Sequence, residues 1–314
     1  MATPTVLVAT WRDGLIAIAD GNSVQELKGQ PVRGLTSDGE NGTFAVVGGH
    51  TLRQRSASGA WRTIAASESN LSCIVTVANE IYVGTDDAKI LRLSAGGHLE
   101  NVGGFADVPG CDTWYAGAAL IDGKLLGPPL GIRSMAATCD GGALLANVHV
   151  GGIPRSTDGG ATWNPTIEID EDVHEVRAHV ARPDIVIAAA ATGLCISRDG
   201  GATWRIERKG LHAHYCSAVA FAGTDVVVAA SEDHFAARGG VYRRPLDEAG
   251  PLLPVGGGLP QWLDGIVDTA CIATHASTVA LADRGGNVYR SKDTGQTWSR
   301  IAERLATPSS VFIV

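Results

Sequence analysis

One short phrase recurs in this chain, and its recurrence constrains the fold more than any other feature of the sequence. "RSTDGGATW" occupies Arg155 to Trp163, "SRDGGATW" returns at Ser197 to Trp204, and "SKDTGQTW" closes the set at Ser291 to Trp298. The aspartates Asp158 and Asp199 are 41 residues apart, and Asp199 and Asp293 are 94 apart, twice 47. A period of roughly 40 to 50 residues in strand-rich sequence is that of a propeller blade of four antiparallel strands. The blade between the second and third copies has lost its phrase.

Composition agrees with an all-β chain. Hydrophobic residues make up 45% and charged residues 18% of the 314, and the 40 glycines with many valines, isoleucines and alanines favour strands and tight turns over helices. A closed β architecture can hold this length in one unit, so residues 1–314 read as a single domain. The formal charge of -8 and the lack of any Lys/Arg run argue against nucleic-acid and anionic-membrane partners. A small-molecule ligand or a protein partner remains.

The N-terminal "MATPTVLVATWRDG" lacks the basic and long apolar segments of a signal peptide, and no 18-residue apolar run is present, so the expected compartment is the cytoplasm. The six cysteines have no CxxC spacing and read as reduced thiols.

Laid out at the repeat period, the chain gives seven blades, each with strands a to d running from the axis outward. Blade 4 reads "IRSMAATC", "GALLANVHV", "GIPRS", "TWNPTIEI"; blade 5 "VHEVRAHV", "DIVIAAAA", "GLCIS", "TWRIER"; blades 6 and 7 follow the same plan, and two weaker copies lie upstream. The N-terminus supplies strands b, c and d without an a strand, and the C-terminus ends on an unpaired "SSVFIV". Together these fragments make one blade and close the ring, removing the exposed edges of an open β array.

Each phrase falls between strands c and d, where the chain must reverse. Asp and Ser side chains can bond backbone amides one or two residues on, and Gly takes the positive φ of a tight reversal. The tryptophan then places a large apolar surface against neighbouring strands. The pattern S-x-D-x-G-x-T-W is similar to the Asp-box, or BNR repeat, of sialidase-like propellers, sortilin-type receptors, xyloglucanases and photosystem II assembly factors. "SASGAW" at Ser56 to Trp61 is a degenerate fourth copy. In those families the box lies away from the active site, so the resemblance implies a structural role. It does not extend to sialidase catalysis: the "IPR" of Ile153 to Arg155 stands in the wrong blade for that family's Arg-Ile-Pro motif.

The expected site is the channel mouth opposite the repeated turns, where the loops joining strand d to the next a, and b to c, gather. Five histidines fall in these loops: His149, His174, His212, His214 and His234. Imidazole ligates zinc, copper, nickel or iron and titrates near neutrality, so these five are the expected ligands of a divalent transition metal. His174 and His214, at similar distances after a repeat tryptophan, and Glu232 are the expected acid/base groups. Asp233 and Asp268 are further acidic loop residues. Trp11, Arg12, Trp114, Tyr115, Tyr215, Trp262 and Arg284 are the expected substrate-binding residues, and the long segment from Cys111 to Gly131 with its "GPPLG" turn reads as a lid or ligand wall. Cys73, Cys216 and Cys271 align at the start of strand a, where small buried side chains fit around the axis.

Two functions follow from this reading. One is an enzyme using histidines, with a metal as Lewis acid, as a lyase or hydrolase on a small molecule. The other is a non-catalytic scaffold that grips a protein partner, in the manner of the photosystem II assembly factors that share the repeat.

Overall fold

The computed structural model describes residues 4–114 and 131–314 and the backbone of residues 119–121 and 124–126. Seven four-stranded antiparallel blades form a β-propeller. Blade 1 is closed by the C-terminus: Pro308–Ile313 is its inner strand and pairs with Val6–Thr10, followed outward by Leu15–Ala19 and Asn22–Glu26. The register runs Val6 to Ile313, Leu7 to Phe312 and Val8 to Val311. Blade 2 comprises Val32–Ser37, Thr43–Val47, Thr51–Arg55 and Trp61–Ala66, and blade 3 Leu71–Val77, Glu80–Thr85, Ile90–Leu93 and Leu99–Asn101.

Blade 4 holds Ile132–Ala137, Leu144–Val148, Pro154–Ser156 and Asn164–Pro165; blade 5 holds Val173–Ala178, Val186–Ala190, Gly193–Ser197 and Arg205–Glu207. Blade 6 holds Tyr215–Ala222, Asp225–Ser231, Arg238–Pro245 and Leu253–Pro254, with Leu263–Asp264 added beside Arg238–Gly239. Blade 7 is Ile272–His275, Thr278–Ala282, Val288–Ser291 and Ser299–Ala302. The middle strands are buried along their length because both faces pack on neighbouring blades: Val186–Ala190 and Thr278–Ala282 are wholly buried. The two short 3-10 turns, Gly103–Asp107 and Cys111–Thr113, are the helical elements among the described residues, and no helix is long and apolar enough to cross a membrane.

The repeated turns show why the phrase keeps its residues. In the first, Ser156 Oγ donates to Asp158 Oδ1 (2.8 Å) and accepts from the Gly160 amide (2.9 Å). Asp158 also accepts from the Thr162 amide (2.9 Å) and hydroxyl (2.6 Å). The same bonds recur around Asp199 and Asp293. The fifth residue has to be glycine: Gly201 sits at φ 84, and a Cβ there would lie 2.2 Å from the Leu145 side chain. These turns touch the a-to-b turns of the far face, as where the Thr294 amide donates to Ser277 O and the Gly200 amide to Asp184 O.

The inner strands share a second repeat that the sequence periodicity did not disclose. In each of five blades one residue is left without a partner on the neighbouring strand: Ser309, Ser72, Arg133, His174 and Ser217. Such bulges re-aim a side chain. Four of the five reach a carbonyl of the next blade or of the connection leading into it: Ser309 to Val32 O, Ser72 to Ile132 O, His174 to Cys216 O and Ser217 to Val267 O. This register corrects the expected alignment of the cysteines. Cys73 follows its bulge residue, whereas Cys216 precedes its own, so the two occupy different places. Burial pushes the Cys73 thiol up to about 12, and Cys216 and Cys271 are driven upward by the same cause. They pack as small apolar side chains.

Candidate functional site

A cavity of about 710 Å³ fills the channel mouth opposite the repeated turns. Arg33, Arg133, Arg177 and Arg284 line it, with Asp86, Asp172, Glu175, Asp233 and Asp268, the imidazoles of His149 and His234, and the rings of Trp11, Tyr215 and Phe235. Three of the arginines, Arg33, Arg133 and Arg177, stand on inner strands.

His149, Asp172 and His174 form the one three-donor group among the described residues that could hold a metal ion, with one ligand atom from each lying within 4.8 Å of the others. Backbone pairing sets their spacing. The Val173 amide donates to His149 O, Val150 and Asp172 form a bridge, and the Ala191 amide donates to Asp172 O. The b-to-c loop of blade 4 is thereby locked to the entry of blade 5, which places the site on rigid elements.

Each imidazole has a defined proton. His174 is fully buried, its Nδ1 lies 2.6 Å from Cys216 O, and a carbonyl only accepts, so Nδ1 carries hydrogen. Its Nε2 lies 3.2 Å from Asp172 Oδ1 but is not aligned for a hydrogen bond, and both atoms are buried without a partner. His149 Nε2 is 3.1 Å from Arg133 Nη1, which donates, so that nitrogen presents a lone pair. Burial and then the Arg133 guanidinium hold His149 down to about 3, against the opposing pull of Asp172. Burial works to raise the Asp172 carboxyl, but the two imidazoles and Arg133 outweigh it and keep the group below its ordinary value. Tyr215 covers His174, ring centroids 4.5 Å apart, and burial raises its phenol.

Across the cavity, Asp268 lies between two guanidiniums at loose contact, 3.5 Å from Arg133 Nη2 and 3.4 Å from Arg284 Nη2. Burial opposes its ionisation, yet Arg133, His234, the Thr269 amide and Arg284 together hold it below the usual carboxylate range. Arg133 also donates to Thr269 Oγ1 (3.2 Å), and Arg284 donates to His234 O (2.5 Å). Arg33 pairs with Asp86 at 2.9 Å and stacks 5.5 Å from the ring centre of Trp11. Glu175 is wholly buried, accepting from Arg177 Nε (2.7 Å) and the Val219 amide (3.0 Å). It ties blade 5 to blade 6 rather than presenting a free carboxylate.

Of the residues expected at the site, His149, His234, Trp11, Tyr215 and Arg284 line the cavity, and His174 stands immediately behind its wall. Others are placed elsewhere. His212 is exposed, bonds Tyr242 Oη through Nδ1 (2.7 Å) and packs edge-on to Trp262, so neither lines the cavity. Trp262 stacks under Arg238. His214 is exposed outside the wall: the residue equivalent to His174 in blade 6 is Ser217, because the connections entering the two blades differ in length. Glu232 and Arg12 are exposed and also lie outside the wall. Trp114 is buried against Phe105 and serves the core. Tyr115 and residues 127–130 of the "GPPLG" turn lie outside the described residues, while Gly131 lines the cavity. His234 lies in the wall but outside the three-donor group, next to Arg284.

Sequence reasoning passed over Asp172, Arg33, Arg133 and Arg177. The signal was a polar residue directly after the apolar start of successive inner strands, as in "LSC", "IRS", "VHE" and "CSA".

The fold and this cavity define a seven-bladed propeller whose channel mouth is lined by arginines, acidic groups and imidazoles among apolar side chains. No family model and no curated protein matches the chain. Among solved structures, a putative 6-phosphogluconolactonase from Bacteroides uniformis is similar over 100% of both chains, with 14% identity and a TM-score of 0.67. An ancestral GH74 enzyme matches over 100% of this chain and 40% of its own, at 13% identity and a TM-score of 0.60. The GH74 enzyme of Niastella koreensis matches over 95% of this chain and 46% of its own, at 15% identity and 0.59. At these identities the likeness is one of fold.

Proposed function

We propose that this chain is an Asp-box propeller enzyme, a hydrolase or lyase of a small molecule bound in the central cavity, with a divalent transition metal held by His149, Asp172 and His174. The observation that carries the reading is the pair of buried, unpartnered atoms His174 Nε2 and Asp172 Oδ1 beside the His149 Nε2 lone pair. Buried polar atoms are rarely left unpaired, and an ion shared with His149 would satisfy both. Two imidazoles and a carboxylate suit zinc, iron or nickel, and the bond from His174 Nδ1 to Cys216 O would fix the ring's tautomer and aim Nε2 at the ion.

A metal so held would polarise a carbonyl or lower the pKa of a bound water, the chemistry that hydrolysis or elimination needs near neutral pH. The protein's own part is positional. Arg133 and Arg284 offer donors to the ligand from either side of Asp268, Tyr215 closes the side of His174, and His234, whose pKa is lowered chiefly by burial, can carry a proton. Trp11 and Phe235, exposed at the rim, offer faces for a ring. The fold neighbours named as a putative lactonase and as GH74 enzymes are compatible with catalysis on such a scaffold.

The test is turnover of a panel of lactones and activated esters by protein purified without a polyhistidine tag. Activity lost on chelation, regained with one divalent metal and absent in Asp172→Asn supports the reading. Activity that survives both chelation and Asp172→Asn overturns it.

A further inference from the structure

We infer that Arg133 is a ligand-binding arginine held in reserve by His149, released when a metal takes the His149 lone pair, and that the ligand it then receives carries an oxyanion. The inference rests on the metal reading above and adds a ligand class and a coupling to it.

The lone pair of His149 Nε2 has one occupant at a time. Here it is Arg133 Nη1, at 3.1 Å. A metal bound by His149, Asp172 and His174 must displace that bond and also places a second positive charge beside the guanidinium. Arg133 is then left with Thr269 Oγ1 at 3.2 Å and the long 3.5 Å contact to Asp268. A guanidinium has five N–H donors, so most of its capacity is open toward the cavity it lines.

Arg284 approaches the other oxygen of Asp268 at 3.4 Å and lines the same cavity. Two planar forks from blades 4 and 7 thus flank one carboxylate that cannot saturate either. A carboxylate or phosphate group on the ligand matches such forks in charge and geometry. It can also face the metal across the freed Arg133. Metal and oxyanion should therefore bind with positive coupling, each raising the affinity of the other by the same factor. Until the anion arrives, the Arg133 to His149 bond competes with the metal and lowers its affinity.

Titrating zinc into the full-length protein, alone and with millimolar acetate or inorganic phosphate, reads both effects. In the wild type the better anion should raise zinc affinity on the order of tenfold, within the usual range of coupling between sites. Arg133→Met should bind zinc several-fold more tightly than the wild type and show almost no response to either anion. Anions complex free zinc in solution and lower its apparent affinity, so a rise cannot come from the buffer. If Arg133→Met proves poorly folded by circular dichroism, Arg133→Gln gives the same comparison. Zinc binding that is no tighter in the arginine variant, or an anion effect undiminished in it, overturns this inference while leaving the metal reading intact. No zinc binding by either protein overturns both.

Discussion

His174 Nδ1 donates a 2.6 Å hydrogen bond to the carbonyl oxygen of Cys216, and in doing so ties blade 5 to blade 6 while leaving Nε2 bare toward Asp172. The same place in blades 1, 3 and 6 is held by Ser309, Ser72 and Ser217, whose hydroxyls make the corresponding inter-blade bond. That position makes an inter-blade bond in these four blades, and in blade 5 its residue also sets a buried, unpartnered Nε2 beside Asp172.

That relationship separates structure from function at a single residue. His174→Ser should keep the bond to Cys216 O, whereas His174→Ala leaves a buried carbonyl unpaired, at a cost of about 1 to 3 kcal/mol. Urea denaturation should find the serine variant more stable than the alanine variant by that amount. Equal midpoints would mean that the bond contributes nothing.

Ring closure rests on the last strand. Val311 and Ile313 are 2% and 3% exposed and pair with Val8 and Val6. Burial of two such side chains is worth about 1.5 to 3 kcal/mol each, and the ladder bonds add to this, so deleting residues 311–314 should cost on the order of 5 kcal/mol. That is a large part of a typical domain's stability. A thermal melt should show a midpoint lower by roughly 10 °C; an unchanged midpoint would contradict velcro-like closure.

The repeated turns set an acid limit. Hydrogen bonds from Thr162 and Ser156 lower Asp158 to about 2, and the matching bonds lower Asp293 further. A carboxylate whose folded pKa is depressed contributes stability above its unfolded value, near 3.9, and that contribution disappears as pH falls through the folded value. Stability should therefore drop between pH 4 and 2. Asp158→Asn and Asp293→Asn should be less stable at pH 7 and flatter over that window, as read from denaturant midpoints at stepped pH. A slope equal to that of the wild type would contradict the assignment.

The blades were legible because their determinants are local. Turn residues of fixed chemistry recur at a fixed period, and the apolar strands between them need only pack on whatever strand lies alongside. His149 was legible as a loop histidine and His174 as a histidine at the entry to blade 5, both at the mouth that holds the cavity. Their companions were not, because the inner-strand bulges decide which side chain turns into the channel. A bulge shifts the register by one residue without leaving a mark such as glycine, and so Arg133 reads from sequence as one more strand residue. His214 was drawn in for the same reason: counting from Trp204 ignores that the entry to blade 6 is longer, which leaves His214 exposed and sets Ser217 where His174 stands in blade 5. Asp172 lies in "DEDVHE", Asp170 to Glu175, but only the pairing of Val150 with Asp172 reveals which of its four acidic residues meets the two imidazoles.

The most direct measurement is the metal content of tag-free protein, by elemental analysis after equilibration with zinc, nickel or iron(II) and removal of excess ion. The wild type should retain one equivalent of one metal, and His174→Ser should retain none while unfolding as cooperatively as the wild type. A wild type that keeps no metal, or a His174→Ser variant that keeps as much as the wild type, would contradict the account.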